Sequence, residues 1–305
     1  MDREARLTEA EVADRNDAGH LPRWIQFARE RFALPAVLSV GVAQATSAQY
    51  LVRPQLEVVG VILAALGIGS LFTLLRLMDE VKDLEKDRVA HPLRPLPRGL
   101  LDPVDVRRAI HWGAGGLFGV GILVATVGNP VAGALLGASV GYALLMYREF
   151  FAPRFLEDHP FTNAVAHEVV LLPLYGFATA VVAPQLALSE PVLWFGLTGM
   201  GASFAYEVCR KLDPNAHAVL RTYLNVHGRN RTVAAVTFGV GFLALTATRI
   251  DVHHVIWPFA ALLLLTLPLL YVRPGRFRLV EATATLLVLI QVLAPTLRHV
   301  WRALS

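Results

Sequence analysis

Long apolar runs alternate with short polar segments along almost the whole chain. A helix that spans a membrane needs about 20 largely apolar residues, and nine runs of roughly that length follow one another. The breaks between them contain turn-forming residues, as in Gly128–Pro130 and Pro274–Gly275. The pattern predicts an all-α, polytopic membrane protein, with nine transmembrane helices in one bundle, a polar cap facing the cytoplasm and a central apolar chamber. The predicted spans are Phe32–Leu51, Leu56–Leu77, Val106–Val127, Val131–Tyr147, Phe161–Ala183, Val192–Val208, Thr232–Thr248, His254–Val272 and Leu279–Leu297.

No linker divides the chain, so residues 32–305 are predicted to form a single transmembrane domain. Residues 1–31 are predicted to form a polar tail that leads into the first helix. The first 20 residues are polar and acidic, unlike a cleavable signal peptide.

Composition agrees with a membrane protein, because only 17% of the residues are charged and the mean hydropathy is +0.50. A soluble domain carries about a quarter charged residues. The single cysteine, Cys209, excludes an intrachain disulfide and a zinc site built from cysteines.

The distribution of basic residues predicts the orientation. With nine spans, all but four of the 28 Lys and Arg residues lie on the side of the N-terminus. The positive-inside rule then places the N-terminus in the cytoplasm and the C-terminus outside the cell membrane. The basic residues lie between apolar spans, so membrane lipid and an anionic substrate are the expected partners, and nucleic acid is not. No obligate protein partner is evident. The four exceptions are Arg53, Arg249, Arg298 and Arg302.

An acidic segment at the end of the second span is the first candidate for chemistry. Asp79, Asp83 and Asp87 recur every four residues, which predicts three carboxylates on one helical face. Such carboxylates repel one another unless cations bridge them, and hard oxygen ligands suit Mg²⁺. The alternative is a solvated helix end with local ion pairs to Lys82 and Lys86.

The loop that follows carries arginines back toward the membrane. Three prolines within residues 92–97 stiffen it, and Arg94 and Arg98 are available for phosphate oxygens. Asp102 is predicted to cap the third span, with Pro103 at its first helical position.

These residues resemble the UbiA superfamily of intramembrane prenyltransferases. Its first motif, Asn-Asp-x-x-Asp-x-x-x-Asp on the second helix, is followed by a loop of Arg-Pro-Leu-Pro type. Here Asp79-Glu80-x-x-Asp83-x-x-x-Asp87 is followed by Arg94-Pro-Leu-Pro-x-Gly99. Asp79 replaces the Asn and Glu80 the first Asp, and both replacements keep oxygen ligands.

The superfamily has a second Asp-rich motif at the end of helix six, and here it is altered. Glu207 lies where the first Asp is expected, and Lys211 replaces the second. A bacterial branch of the superfamily is similar, with Asp-Glu first motifs and Glu-x-x-Arg-Lys second motifs. Arg210 and Lys211 are predicted to contact diphosphate directly. Alternatively they are flanking charges, although that does not explain a carboxylate near hydrocarbon.

The resemblance implies a Mg²⁺-dependent prenyltransferase that ionises a polyprenyl diphosphate and transfers the prenyl group to a lipophilic or aromatic acceptor. Metal ligands and catalytic residues would be Asp79, Asp83, Asp87 and Glu207. Diphosphate would contact Arg94, Arg210, Lys211, Arg31 and Lys82. The pocket candidates are Asn163, His167, Tyr147 and Tyr206.

Other interpretations of the same residues stay open. Asn163 and His167 could contribute only to helix packing. Tyr147 could belong to an aromatic belt at the membrane interface. Arg31 could be a flanking residue whose side chain extends to the polar edge of the membrane. A terpene cyclase of the same superfamily would use the prenyl diphosphate alone. A transporter is a more distant alternative, because the charges cluster at one end rather than at the midplane. His253 and His254 lie on the outer side, where the sequence alone does not favour a zinc site.

Overall fold

A computed structural model describes residues 22–305, and these residues contain helices and connecting turns without a β-strand. The predicted N-terminal tail therefore lies mostly outside the described residues. The helices are α1 Arg23–Arg31, α2 Leu34–Val52, α3 Val58–Lys82, α4 Leu84–Ala90, α5 Pro103–Thr126, α6 Pro130–Tyr147, α7 Pro153–Asp158, α8 Pro160–Glu168, α9 Leu171–Ala180, α10 Glu190–Cys209, α11 Tyr223–Arg249, α12 His253–Thr266, α13 Leu269–Val272 and α14 Phe277–Leu304.

Six helical segments of the described chain are long and apolar enough to cross a membrane. The chain is therefore a multi-pass, all-helical membrane protein, but the predicted count of nine spans is not confirmed. The six segments are Val58–Lys82, Pro103–Thr126, Pro130–Tyr147, Tyr223–Arg249, His253–Val272 and Pro274–Leu304.

The predicted fifth span is divided into α8 and α9 by a turn at Val169 and Val170. Pro173 explains the division, because its ring has no N–H to donate to the carbonyl of Val169 and clashes with it. A second interruption separates α12 from α13 just before Leu269, and Pro268 lies there. The start of α11 is also irregular, because Gly228 has a φ of 71°.

The helices close into one bundle, in which α2 packs against both α3 and the last helix, α14. The tightest approach is between α5 and α6. A Cβ on Gly133 would lie 2.3 Å from the carbonyl oxygen of Gly121, so only glycine fits there. Large apolar side chains such as Leu63, Ile122 and Leu265 are exposed on the outside. This is the arrangement that a lipid environment favours.

Capping hydrogen bonds fix the starts of two helices, and the cap at Asp102 confirms the prediction from the sequence. The side chain of Asp102 accepts from the backbone N–H of Val104 at 2.6 Å, with Pro103 at the first position of α5. This cap fixes where the chain re-enters the bundle after the acidic segment and its loop. Asn129 accepts in the same way from Ala132 at 3.0 Å, ahead of Pro130 and α6.

Candidate active site

The end of α3 presents two carboxylates without a cationic partner. Asp79 lies in the last turn of α3, and Asp83 lies at the junction with α4. Both side chains are accessible, and neither makes an ion pair within residues 22–305. The local ion pairs of the alternative interpretation are not formed. Lys82 instead donates to the backbone oxygen of Met146 at 3.2 Å, and Lys86 lies 3.8 Å from Glu157.

Glu80, adjacent to Asp79, has the opposite environment. Its side chain is 1% exposed and pairs with Arg31 at 2.7 Å and with Arg76 at 2.9 Å. Sequence reasoning assigned Arg31 to diphosphate, counted Glu80 as a replacement that keeps an oxygen ligand in the motif, and gave no role to Arg76. The position of Glu80 within the motif was the sequence feature that could have indicated a role for this residue. A buried carboxylate between two guanidinium groups ties α1 to α3 through charge-assisted hydrogen bonds.

Asp87 is also buried and paired. Both of its oxygens accept from Nη1 of Arg94 at 2.7 Å, and its side chain is 4% exposed. Asp87 is therefore not accessible in the way that Asp79 and Asp83 are, and its role as a metal ligand stays a prediction. The helix is interrupted at Asp83, and the proline-rich loop brings Arg94 onto Asp87.

Arg98, in the same loop, is anchored in a way that fixes the loop against α1. It donates to both carboxylate oxygens of Glu30 at 2.7 Å and to the backbone oxygen of Leu93 at 2.8 Å. Between this loop and α1 lies a cavity of about 260 Å³. Its lining consists of Glu30, Arg31, His91, Leu93, Arg94 and Pro95.

The end of α10 carries the second polar cluster. Glu207 forms ion pairs with both Arg210 and Lys211, three and four residues later. Burial alone would lower the pKa of the Arg210 guanidinium. The Glu207 carboxylate more than offsets this effect and raises that pKa, so Arg210 remains charged. The ammonium of Lys211 lies 5.6 Å from the ring centre of Tyr223, a cation–π distance.

The two clusters face each other closely enough to interact. Asp79 and Arg210 influence each other electrostatically. Asp79 is exposed and Glu207 is half-buried, so neither side chain is closed off from solvent. The polar region between them, with carboxylates on α3 and a net positive group at the end of α10, is here termed the cleft.

Residues of α8 approach the same cleft. His167 interacts electrostatically with Lys82, Glu207, Lys211 and Arg210. Its Nε2 and the Oδ1 of Asn163 are buried without a hydrogen-bond partner among the described residues. Such atoms are costly to leave unsatisfied, so they mark a place that suits a polar ligand group.

The two tyrosines predicted for the pocket are half-buried and pack against the core. Tyr206 lies one turn from Arg210 and interacts with it electrostatically. Tyr147 ends α6. Their contact with a substrate stays a prediction.

A multi-pass helical bundle with a charged cleft at one end is the class that the fold and site define. The model of the UbiA prenyltransferase family matches residues 34–287, and the chain belongs to that family. The comparison with curated proteins finds no match. Among solved structures, the chain is similar to a digeranylgeranylglyceryl phosphate synthase described in membranes. The two share 11% identity with a TM-score of 0.61, over 90% of this chain and 98% of the other. At that identity the likeness concerns the fold alone.

Proposed function

We propose that this protein is a Mg²⁺-dependent intramembrane prenyltransferase. It ionises a polyprenyl diphosphate in the cleft between α3 and α10 and transfers the prenyl group to a lipophilic or aromatic acceptor. Membership of the UbiA prenyltransferase family supports the reaction class. The cleft faces the cytoplasm of a cell membrane, as the distribution of basic residues favours.

The carboxylates of Asp79 and Asp83 fit one Mg²⁺. They lie four residues apart, are accessible and have no cationic partner in the described part of the chain. Mg²⁺ is usually held by one or two carboxylates together with substrate phosphates. Asp87 and Glu207 fit a metal less well, because arginine or lysine already neutralises each of them. When bound, Mg²⁺ would neutralise charge on the diphosphate.

Two cationic side chains of the protein, Arg210 and Lys211, contact the diphosphate on the side away from the Mg²⁺. Arg210 and Lys211 neutralise charge on the leaving group as the bond between the prenyl C1 and the diphosphate oxygen breaks. Both are pre-positioned by Glu207, so they need little reorganisation when the substrate binds. The surrounding apolar helices keep water away from the allylic cation.

Acceptor binding is assigned to the α8 side of the cleft. Asn163 and His167 each leave a buried polar atom without a partner among residues 22–305. A hydroxyl or carbonyl group of the acceptor would satisfy these atoms and orient the nucleophile toward C1.

One observation carries the proposal: Asp79 forms no ion pair among the described residues and interacts electrostatically with Arg210 at the end of α10. A direct test incubates the purified chain with Mg²⁺, prenyl diphosphates of increasing length and a panel of aromatic and lipid acceptors. The expected result is diphosphate release with a prenylated acceptor, which Asp83→Asn abolishes.

The matched control is Asp105→Asn, which changes an exposed carboxylate at the start of α5 whose one ion pair among residues 22–305 is with Arg108. It is expected to keep wild-type turnover. Turnover by Asp83→Asn at the wild-type rate would contradict the metal assignment. A cyclic product formed without any acceptor would contradict transfer and favour a terpene cyclase.

A further inference from the structure

A separate group of metal-ligating side chains lies at the opposite end of the bundle from the cleft. Asp251, His253 and His254 follow the C-terminal end of α11, a helix of 27 residues that begins on the cleft side. At 1.5 Å per residue, the regular part of α11 after Gly228 places this turn about 30 Å from Gly228. The turn is therefore independent of the proposed active site.

The three side chains converge although the turn is short. One ligand atom of each lies within 4.8 Å of the other two. Oδ1 of Asp251 is 3.9 Å from Nδ1 of His253, too far for a hydrogen bond. Two ligands of a tetrahedral zinc ion lie about 3.3 Å apart, given metal–ligand distances near 2.0 Å. Small side-chain rotations would bring the group to that spacing.

One atom of the turn is available to a ligand. Nδ1 of His253 is buried and has no hydrogen-bond partner among residues 22–305, although the side chain as a whole is 35% exposed. Asp251 adopts a φ of 54°, which is uncommon for a residue with a side chain. Its carboxylate lies near the start of α12, with Oδ1 on the side of His253.

The carboxylate has a clear electrostatic role. His253 begins α12, and the positive end of a helix dipole opposes a cation there. Asp251 offsets that opposition with one oxygen, while its other oxygen pairs with Arg302 near the end of α14. A second arginine of α14, Arg298, donates to the backbone oxygen of Ile250. The turn is thus fixed against α14 before any ion binds.

We propose that Asp251, His253 and His254 bind a divalent transition-metal ion of the zinc type, with two imidazole nitrogens, one carboxylate oxygen and an open fourth position. Nitrogen and oxygen ligands in this ratio suit Zn²⁺ and Co²⁺ rather than Mg²⁺ or Ca²⁺. The bound ion would join the end of the α11–α12 turn to the start of α12.

The test uses the full chain without an affinity tag, stripped with a chelator and titrated in detergent with Co²⁺ and then Zn²⁺. We expect visible Co²⁺ absorption that saturates at one ion per chain and is lost when Zn²⁺ displaces it. Asp251→Asn and His254→Ala should each weaken binding at least tenfold. His299→Ala is the matched control, because that ring stacks on Tyr50 at 4.1 Å and lies outside the group.

Three further measurements make the result specific. The titration is repeated with Asp79→Asn and Asp83→Asn combined, and it should be unchanged if the cleft does not contribute. Co²⁺ should also quench tryptophan fluorescence, and Trp257→Phe should reduce the quenching, because Trp257 lies 4.9 Å from His253. His254 is exposed, so thermal unfolding of His254→Ala without metal should match the wild type. Equal Co²⁺ affinity in the wild type and His254→Ala would overturn the proposal.

Discussion

Two pairs of carboxylates in one short acidic segment have opposite environments. Asp79 and Asp83 are accessible and lack ion pairs among the described residues. Glu80 and Asp87 are almost fully buried, and each is paired with arginine. Residue type and spacing do not distinguish the pairs. The difference arises from elements that approach from elsewhere, and it separates carboxylates available for a ligand from carboxylates that hold the site together.

The largest expected effect concerns the open pair. Asp79→Asn or Asp83→Asn should lower kcat by about 10³-fold, or about 4 kcal/mol of transition-state stabilisation. The melting temperature should change little, because neither side chain has a partner to lose within residues 22–305. Steady-state diphosphate release and thermal unfolding in detergent check both. A folded variant with wild-type kcat would contradict the assignment of the accessible pair, Asp79 and Asp83, to ligand binding.

Substitutions in the buried pair, Glu80 and Asp87, should lower the free energy of unfolding. Glu80→Ala leaves Arg31 and Arg76 without their carboxylate, and we expect a loss of about 3 kcal/mol in the free energy of unfolding. Glu85→Gln is the matched control, because Glu85 is exposed and its one ion pair in the described part of the chain is with Arg88, three residues later. Equal melting temperatures for the two variants would show that Glu80 is not a structural group.

A double-mutant cycle would sharpen the assignment of Asp87. Asp87→Asn, Arg94→Gln and the combination should give a coupling free energy of about 1–2 kcal/mol in stability, since the two side chains share two contacts of 2.7 Å. Additive effects on stability would argue against the pair seen here. They would restore the original expectation that Asp87 serves a metal.

The smallest effect is expected across the cleft. Lys211→Ala should raise KM for the prenyl diphosphate about tenfold while Arg210 remains in place. Lys211→Asp should instead increase the Mg²⁺ concentration required for turnover, because it removes the ammonium that takes a metal's place and leaves a carboxylate that needs a further Mg²⁺ to neutralise it. A Mg²⁺ dependence of turnover that is identical in the wild type and Lys211→Asp would contradict a direct role for this lysine.

Local features of the site could be predicted from the sequence. The caps at Asp102 and Asn129 depend on residues three positions apart at most, and the Glu207 cluster on residues within one helical turn. The roles of Glu80 and Asp87 could not be predicted in this way. Arg31 lies 49 residues before Glu80, and Arg94 reaches Asp87 only because the loop turns back.

Helix interruptions were partly predictable. Pro173 was visible in the predicted fifth span, but its consequence, the turn at Val169 and Val170, requires the rule that proline affects the residue four positions earlier. The count of nine spans stays a prediction. Polar side chains such as Gln44 and Gln49 in α2 lower the hydropathy of a helix that still packs inside the bundle.

Binding of inorganic diphosphate, measured calorimetrically with and without Mg²⁺, tests the central claim most directly. The account predicts that Mg²⁺ strengthens diphosphate binding at least tenfold in the wild type and that Asp83→Asn removes this enhancement. Weak binding without Mg²⁺ should persist through Arg210 and Lys211. An enhancement that survives Asp83→Asn but disappears in a folded Asp87→Asn variant would contradict the account.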